Sequence, residues 1–161
     1  MTDDDFMQAV NRNNQRLFLI ALSFTKNTYD AEDILQNVFV KLLKYPKSFS
    51  DNEHLDKWLT TVCVNESKNY IKLPFRYHKD IDDCDFVSSA NFDSTTQIDL
   101  YNAVMKLSKK ERTVIHLFYY EDLSIKDIAK MLKIKESAVK TRLSRARVNL
   151  KEQLGDEWID E

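Results

Sequence analysis

The segment DAEDILQNVFVKLL (30–43) places its apolar residues three and four positions apart, which predicts an amphipathic helix with one buried stripe. That stripe comprises Ala31, Ile34, Leu35, Val38 and Leu42. Acidic residues crowd the first turn and favour the positive end of the helix dipole. The opposite face comprises Asp33, Gln36, Asn37, Val40 and Lys44. An apolar side chain among polar neighbours, here Val40, indicates a docking surface.

A second helix is predicted from about His54 to Leu73. Its core face comprises Leu55, Trp58, Leu59 and Val62. We favour Trp58 as a core side chain over a platform on which a base stacks. Another sector is polar and basic, which indicates a strip that faces phosphates; it comprises Lys57, Thr61, Asn65, Lys68 and Lys72. Glu66 interrupts the apolar stripe and therefore implies a buried partner or a locally exposed surface.

Two capping signals mark helices in the last third of the chain. Ser108 and Glu111 have the spacing of a capping box, in which each side chain satisfies the other residue's backbone N–H. The helix that follows is predicted to run to about Glu121. Ser124 caps a shorter helix of about eight residues, whose apolar positions repeat at helical spacing up to Leu132.

A polar turn at 133–135, with Ile134 predicted to be buried inside it, leads to the longest helix of this region. That helix is predicted from about Glu136 to Leu154, and Gly155 ends it in the usual C′ position. A short helix, a tight turn and a longer helix form a helix-turn-helix. Ala129 lies where the two helices would cross, and its small side chain permits close approach.

The long helix separates an apolar stripe from a basic face. The stripe comprises Val139, Leu143, Ala146, Leu150 and Leu154. The opposite face comprises Ser137, Lys140, Thr141, Arg142, Ser144 and Arg145. Arginine can fork onto guanine, and serine or threonine can contact bases or phosphates, so we predict a helix that reads the major groove. The alternative is an ordinary solvated basic face.

Charge is distributed unevenly among the 161 residues, although 24 basic side chains nearly balance 26 acidic ones. Residues 1–80 are neutral, 81–100 hold five Asp and no basic residue, and 101–150 carry a net charge of +7. This division predicts two modules on an acidic linker, with boundaries at 1–74, 75–96 and 97–161. The concentration of positive charge in the last module favours nucleic acid as its ligand.

Several classes of protein are excluded or disfavoured by composition. The one glycine, Gly155, leaves no Gly-rich loop to hold a phosphate or a dinucleotide. Cys63 and Cys84 lack metal-ligand or redox spacing, and the three histidines are far apart, so we expect neither a metal nor a cofactor. With no convergent chemical groups, we expect no enzyme. The acidic start and the lack of a long apolar run predict a cytoplasmic protein without membrane insertion.

Three segments together resemble one family, the extracytoplasmic-function (group IV) sigma factors of bacterial RNA polymerase. They are DAEDILQNVFVKLL (30–43), KWLTTVCVNESKNYI (57–71) and LSKKERTVIHLFYYEDLSIKDIAKMLKIKESAVKTRLSRAR (107–147). A helix-turn-helix alone is a weak signal. The Asp-Ala-Glu-Asp helix about 95 residues before the Val-Lys-Thr-Arg-Leu-Ser-Arg-Ala helix is much more specific.

The resemblance implies an all-α factor for transcription initiation with two small helical domains. The N-terminal domain would dock the 30–43 helix on the β′ clamp helices of core RNA polymerase through Asp33, Gln36, Asn37 and Val40. Together with Lys68 on the phosphate-facing strip, Phe49 and Asn65 would bind the melted −10 element. Phe49 and Asn65 match positions that in such factors form a pocket for an extruded base, which exposes its hydrogen-bonding edge only once unstacked.

The C-terminal domain would read the −35 element as duplex. The contact positions of the family fall on Lys140, Thr141, Ser144 and Arg145, on the basic face that also carries Arg142. The same domain would touch the β flap of the polymerase. An anti-sigma factor that masks both domains is a further partner that the resemblance implies.

The sequence departs from the family pattern at two positions. Asn37 replaces the usual acidic residue, and Lys133 replaces a frequent turn glycine, at a cost of about 1 kcal/mol if that residue is left-handed. Two other classes stay open at this stage. One is an autonomous helix-turn-helix regulator that binds palindromic duplex without polymerase. The other is a protein that uses its helical faces to bind proteins only.

Overall fold

The computed structural model describes residues 1–73 and 95–155. Helices and their connecting turns account for both ranges, and no strand occurs in them. The chain divides into two compact units, Met1–Asp82 and Asp83–Glu161. The predicted all-α fold with two helical domains is confirmed for the part of the chain described.

The predicted linker at 75–96 lies outside the described residues except for its last two positions. Thr95 and Thr96 are already helical, so the first helix of the second unit that the structure describes begins two residues before the predicted boundary. The other domain boundaries stay predictions.

Three helices form the N-terminal unit: α1 (Asp3–Thr25), α2 (Thr28–Lys44) and α3 (Asn52–Ile71). A side-chain cap starts each helix, because the first backbone N–H groups of a helix have no partner within it. The caps are Thr2, Asn27 and Asp51. Thr2 and Asp5 complete a reciprocal capping box at α1. The predicted spans of α2 and α3 agree with these bounds to within two residues.

The core of this unit lies where the three helices pack on one another. The predicted stripe of α2 is buried in full, and Leu55 and Leu59 are buried on α3. Trp58 and Val62 are only half-buried, so assigning them to the core was wrong. α1 supplies the other face of the core with Leu17, a fully buried side chain.

The described part of the C-terminal unit contains four α-helices and one π-helical turn. They are α4 (Thr95–Met105), α5 (Lys109–Ile115), the π-turn (His116–Tyr120), α6 (Ile125–Leu132) and α7 (Glu136–Leu154). The single helix predicted to run to about Glu121 is therefore α5 continued by a π-turn. Ser124 caps α6 through the N–H of Asp127, as predicted.

The capping box predicted at the start of α5 is only half formed. Ser108 accepts a hydrogen bond from the N–H of Glu111, which makes it the N-cap. The Glu111 carboxylate does not return to Ser108, because it accepts 3.0 Å hydrogen bonds from the side-chain amide of Asn149 on α7. The glutamate thus ties α5 to α7.

The turn between α6 and α7 has a left-handed residue at its start. Lys133 adopts φ 57° and ψ 46°, the conformation that glycine adopts most readily. Ile134 donates its backbone N–H to the carbonyl of Ala129 at 3.0 Å, but its side chain is half-buried, not buried as predicted. The bounds of α7 and its termination at Gly155 (φ 81°) are confirmed.

The apolar face of α7 anchors the C-terminal core. Val139, Leu143, Ala146 and Leu150 are buried, whereas Leu154 is half-buried. The buried guanidinium of Arg112 donates a 3.0 Å hydrogen bond to the carbonyl of Leu107. Because its inner face is packed, α7 presents its opposite face to solvent.

Candidate functional site

The exposed face of α7 carries the residues predicted to read duplex DNA. Lys140, Thr141, Ser144 and Arg145 are exposed, while Arg142 is half-buried at the edge of the face. The Thr141 hydroxyl donates to the carbonyl of Ser137 at 3.0 Å. The lone pairs of the Thr141 hydroxyl oxygen therefore remain available to accept a hydrogen bond from a donor on a base edge.

A polar cleft of about 370 Å³ lies between the start of α5 and the first turns of α7. Its lining brings together basic and hydroxyl side chains from both helices: Ser108, Lys110, Ser137, Thr141, Arg142 and Arg145. Sequence analysis missed Lys110, because its place beside α7 depends on how α5 packs. Glu111 also lines the cleft, but Asn149 binds its carboxylate, and three basic side chains leave the lining positive in net charge, which suits a phosphodiester backbone.

One apolar side chain interrupts this polar face. Val148 is 58% exposed on α7, and helical geometry places it about 20° from Ser137 around the axis. Sequence analysis did not single it out, although its position on the helical wheel was the available signal. An exposed methyl group on this face can meet the methyl group of thymine in a major groove.

Arg147 lies outside this face. Its Nε donates to the hydroxyl oxygen of Tyr119 at 2.8 Å, and its guanidinium lies 5.8 Å from the centre of the Phe118 ring. The third arginine of the segment Arg142–Arg147 therefore joins α7 to the π-turn.

The polar strip of α3 has the predicted exposure. Lys57, Thr61, Asn65 and Lys72 are exposed, and Lys68 is half-buried. Glu66, which interrupts the apolar stripe, forms an ion pair with Lys41 of α2. Glu66 is largely covered and has a partner, but Lys41 is itself exposed, so the predicted buried partner was wrong.

An aromatic cluster closes the loop between α2 and α3. Tyr45 stacks on Phe49 with ring centres 5.1 Å apart, and Trp58 lies 4.7 Å from Tyr45 and 5.4 Å from Phe49. His54 contacts the edge of Phe49, and its Nδ1 accepts the backbone N–H of Ser50 at 3.1 Å. Trp58 is thus part of a half-exposed aromatic surface.

The structure places Phe49 and Asn65 on one side of α3 but not in mutual contact. Phe49 packs on Trp58, and Asn65 follows Trp58 by seven residues, about 10 Å along the helix axis. The two residues therefore mark the ends of a surface.

A second cleft, of about 480 Å³, opens between the start of α1 and this loop. Its lining includes Met1, Thr2, Asp5, Pro46 and Phe49. The acidic start of α1 thus stands beside the loop that carries Phe49.

Arg12 and Arg16 brace α1 against the start of α3. Arg12 pairs with the Asp56 carboxylate at 2.8 Å, and Arg16 donates to the Thr60 hydroxyl at 2.6 Å. Burial alone would raise the pKa of Asp56, but hydrogen bonds from Arg12 and Asn13 outweigh it and lower that pKa below 3.8. The contacts hold α3 in place behind the aromatic cluster.

The outer face of α2 is polar with an apolar end. Gln36 and Asn37 are exposed, and Asp33 is half-buried. Val40 is 44% exposed and Leu43 is 63% exposed, so two aliphatic side chains follow the polar residues. Sequence analysis identified Val40 and missed Leu43, which the same helical spacing could have found.

Within the described ranges, no helix is long and apolar enough to cross a membrane, and no group of three or more His, Cys, Asp or Glu side chains could hold a metal. A helix-turn-helix with a basic recognition helix in one unit, and polar and aromatic surfaces in the other, define a DNA-binding transcription protein.

Comparison with known proteins identifies the family. Sigma-70 region 2 matches residues 9–73, and sigma-70 region 4 matches residues 97–150. The chain belongs to the extracytoplasmic-function group of the sigma-70 family. It is a sigma factor that directs RNA polymerase to promoters, so the alternative of an autonomous regulator was wrong. Sigma factors are in general regulatory proteins without enzymatic activity.

Relatives match over nearly the full length of the chain. RNA polymerase sigma factor SigV of Bacillus subtilis (strain 168) is 28% identical over 92% of this chain and 90% of its own. Sigma factor SigW of the same organism is also 28% identical, over 95% of this chain and 90% of its own. The sigma factor RpoE of Bartonella quintana, solved in complex with the anti-sigma factor NepR, has a TM-score of 0.67. It is 25% identical, over 96% of this chain and 99% of its own.

Proposed function

We propose that this sigma factor reads the −35 element as duplex with α7 and the −10 element as single strand with α3 and the loop before it, while α2 docks on core RNA polymerase. The observation that carries the proposal is the exposed basic face of α7, packed on its inner side and continuous with the cleft that contains Lys110. The surface of α2 would bind polymerase, and the surface of α3 with the loop before it would bind melted DNA. The protein should therefore recognise promoters only as part of the polymerase.

At the −35 element, Lys140, Thr141, Ser144 and Arg145 face the bases, and Arg142 lies at the edge toward a phosphate. Arg145 can donate two hydrogen bonds to one guanine, the strongest sequence-reading contact available on this face. Thr141, which already donates within the helix, accepts from a base amino group. Lys110 adds a phosphate contact from α5.

At the −10 element, Phe49 and Asn65 hold an extruded base, and Lys68 contacts the strand's phosphates. Extruding a base costs a few kcal/mol of stacking and pairing energy. Stacking on an aromatic side chain returns about 1–3 kcal/mol per base, and Phe49 is prepositioned for it by Tyr45 and Trp58. The Asn65 amide then reads the edge of the base.

On α2, Asp33, Gln36, Asn37 and Val40 contact the β′ clamp helices of core polymerase. Leu43 extends this docking face by one turn of apolar surface. The C-terminal unit contacts the β flap, and an anti-sigma factor that covers both units regulates the protein. In this proposal the protein acts in the cytoplasm, where its partners are, as a regulatory subunit and not as an enzyme.

The test is run-off transcription with purified core polymerase on a library of genomic fragments. Transcripts that start at a shared upstream sequence support the proposal, and a chain that neither binds core enzyme nor directs any specific start contradicts it. A gel shift on the selected promoter adds a second criterion. Specific binding requires core enzyme, whereas equal specific binding by the chain alone would contradict the division of roles.

A matched pair of variants distinguishes specific DNA reading by α7 from general electrostatic attraction to DNA. Arg145→Ala removes a positive charge from the proposed reading face, and Lys106→Ala removes one from an exposed position between α4 and α5. Only Arg145→Ala should weaken selection of the −35 element. Equal losses in the two variants would reduce the proposal to nonspecific electrostatic attraction.

A further inference from the structure

One tyrosine hydroxyl joins two carboxylates of α2 to α3. Tyr70, near the end of α3, donates to Oδ1 of Asp30 at 3.0 Å and to Oδ2 of Asp33 at 3.1 Å. Asp30 is fully buried, Tyr70 is buried and Asp33 is half-buried. The tyrosine therefore reaches from the packed interior to the residue that begins the proposed docking face.

The two carboxylates share a single hydrogen-bond donor. A phenol carries a single O–H donor, so the Tyr70 hydroxyl shares its hydrogen between two acceptors or alternates between them. Burial raises the pKa of Tyr70 above its ordinary value, and the negative charges of Asp30 and Asp33 raise it further. Tyr70 is consequently a donor at every physiological pH.

Asp33 depends on this contact more than Asp30 does. The Asp30 side chain is fully buried, so the surrounding packing already restricts it, whereas Asp33 is half-buried. Within the described residues, the Asp33 side chain has one hydrogen bond, from Tyr70, and takes part in no ion pair. Its second oxygen, Oδ1, accepts no hydrogen bond from these residues.

We infer that Tyr70 is a positioning residue for polymerase binding: it fixes the Asp33 carboxylate by one oxygen so that the other is held ready for an arginine or lysine of the polymerase. A preoriented carboxylate loses less rotamer freedom on binding than a freely rotating one. A charge-assisted hydrogen bond to a cationic side chain is among the strong polar contacts. The inference rests on the proposed docking role of α2 and adds a buried residue of α3 to it.

A double-mutant cycle tests the inference. The affinity of the full chain for core polymerase is measured for wild type, Tyr70→Phe, Asp33→Asn and the double variant, at two salt concentrations. We expect each single variant to bind about tenfold more weakly, as when one oriented charged contact is lost. The double variant should bind no more weakly than Asp33→Asn, and Tyr70→Phe should have a smaller salt dependence than wild type.

Glu66→Gln is the matched control, because it weakens another contact between α2 and α3, the ion pair with Lys41, without touching Asp33. Full affinity in this control supports the inference. A loss equal to that of Tyr70→Phe, or additive losses in the double variant, would show that Tyr70 only maintains packing. If Asp33→Asn binds core enzyme normally, the docking role of Asp33 is wrong and the inference falls with it. If Asp33→Asn is impaired but Tyr70→Phe is not, the inference alone is overturned.

Discussion

Arg147 of α7 donates from Nε to the Tyr119 hydroxyl oxygen at 2.8 Å, and its guanidinium lies 5.6 Å from the centre of the same ring. The contact joins the middle of the recognition helix to the π-turn. Arg142 and Arg145, at nearby positions on the same helix, line the polar cleft. The arginines of one short segment therefore divide between a structural contact and the face that we propose to bind DNA.

Arg147→Ala should destabilise the C-terminal unit by about 1–2 kcal/mol, because it removes a hydrogen bond and a cation–π contact. Chemical unfolding of the full chain, followed by hydrogen exchange in α5 and α7, measures this loss. The slope of DNA affinity against salt concentration should stay as in wild type. A smaller slope with unchanged stability would place Arg147 on the DNA instead.

Arg145→Ala should weaken promoter binding by the assembled holoenzyme by about 1–3 kcal/mol, the range for a bidentate contact to one base. The loss should disappear when the base pair that Arg145 reads is replaced in the promoter. Affinity measurements on a set of single-substitution −35 duplexes check this. An equal loss on random duplex would make Arg145 a phosphate contact.

Asn65→Ala should slow promoter opening more than it weakens initial duplex binding, because the amide meets a base only after extrusion. Rates of open-complex formation, followed with a fluorescent base in the −10 element, measure the effect. Asn14→Ala, on an exposed position of α1, is the control and should open promoters at the wild-type rate. Unchanged opening by Asn65→Ala would remove this residue from the base pocket.

His116 should make the C-terminal unit sensitive to acid. Its ring is buried and stacked on Tyr120 at 5.1 Å, and neither ring nitrogen has a hydrogen-bond partner in the described residues. Burial lowers the pKa of His116 to about 3, from an ordinary value of 6.5. Between these pH values the unfolded chain binds a proton that the folded chain does not, so stability falls as pH falls.

From pH 7 to pH 5 this histidine should contribute a loss of about 2 kcal/mol. The measurement is the free energy of unfolding of the C-terminal unit against pH in wild type and in His116→Phe. The variant should lose that much less stability over the same range. If the free energy of unfolding falls equally with pH in wild type and in His116→Phe, His116 does not remain neutral in the folded protein.

Lys133→Gly should stabilise the C-terminal unit by about 0.5 kcal/mol. Replacing a residue with a side chain by glycine in the left-handed conformation removes about 1 kcal/mol of backbone strain. The greater freedom of glycine in the unfolded chain offsets about half of this gain in stability. Lys130→Gly is the control, because Lys130 is an exposed residue within α6, where glycine gains no such relief and costs stability. Thermal unfolding of the two variants should therefore shift in opposite directions.

Local signals predicted most of the fold. Ser124 and Gly155 mark the ends of α6 and α7 because capping depends only on neighbouring backbone groups. Sequence analysis did not single out α1, although the Thr2–Asp5 capping box was an available signal, and the polar Asn13 interrupts its buried face. The Asn13 amide is satisfied by the Ala9 carbonyl and by Asp56, and the second of these contacts comes from another helix.

The candidate site was predictable where it lies on one helix face and not where it depends on tertiary contact. The exposed residues of α7 follow from helical spacing alone. Trp58 lies at the spacing that a core residue of α3 would have. Its contacts with Tyr45 and Phe49 arise only because the loop between α2 and α3 folds against it. Likewise, the partner of Glu111 is Asn149, which lies 38 residues away.

The cleft shared by the start of α1 and the loop before α3 has a practical consequence for the bench. Met1 and Thr2 line it together with Pro46 and Phe49. A purification tag fused to Met1 would emerge beside the aromatic ring proposed to stack on unpaired DNA. Recombinant protein for kinetic work should therefore carry its purification tag at another position, or have the tag removed without residual residues.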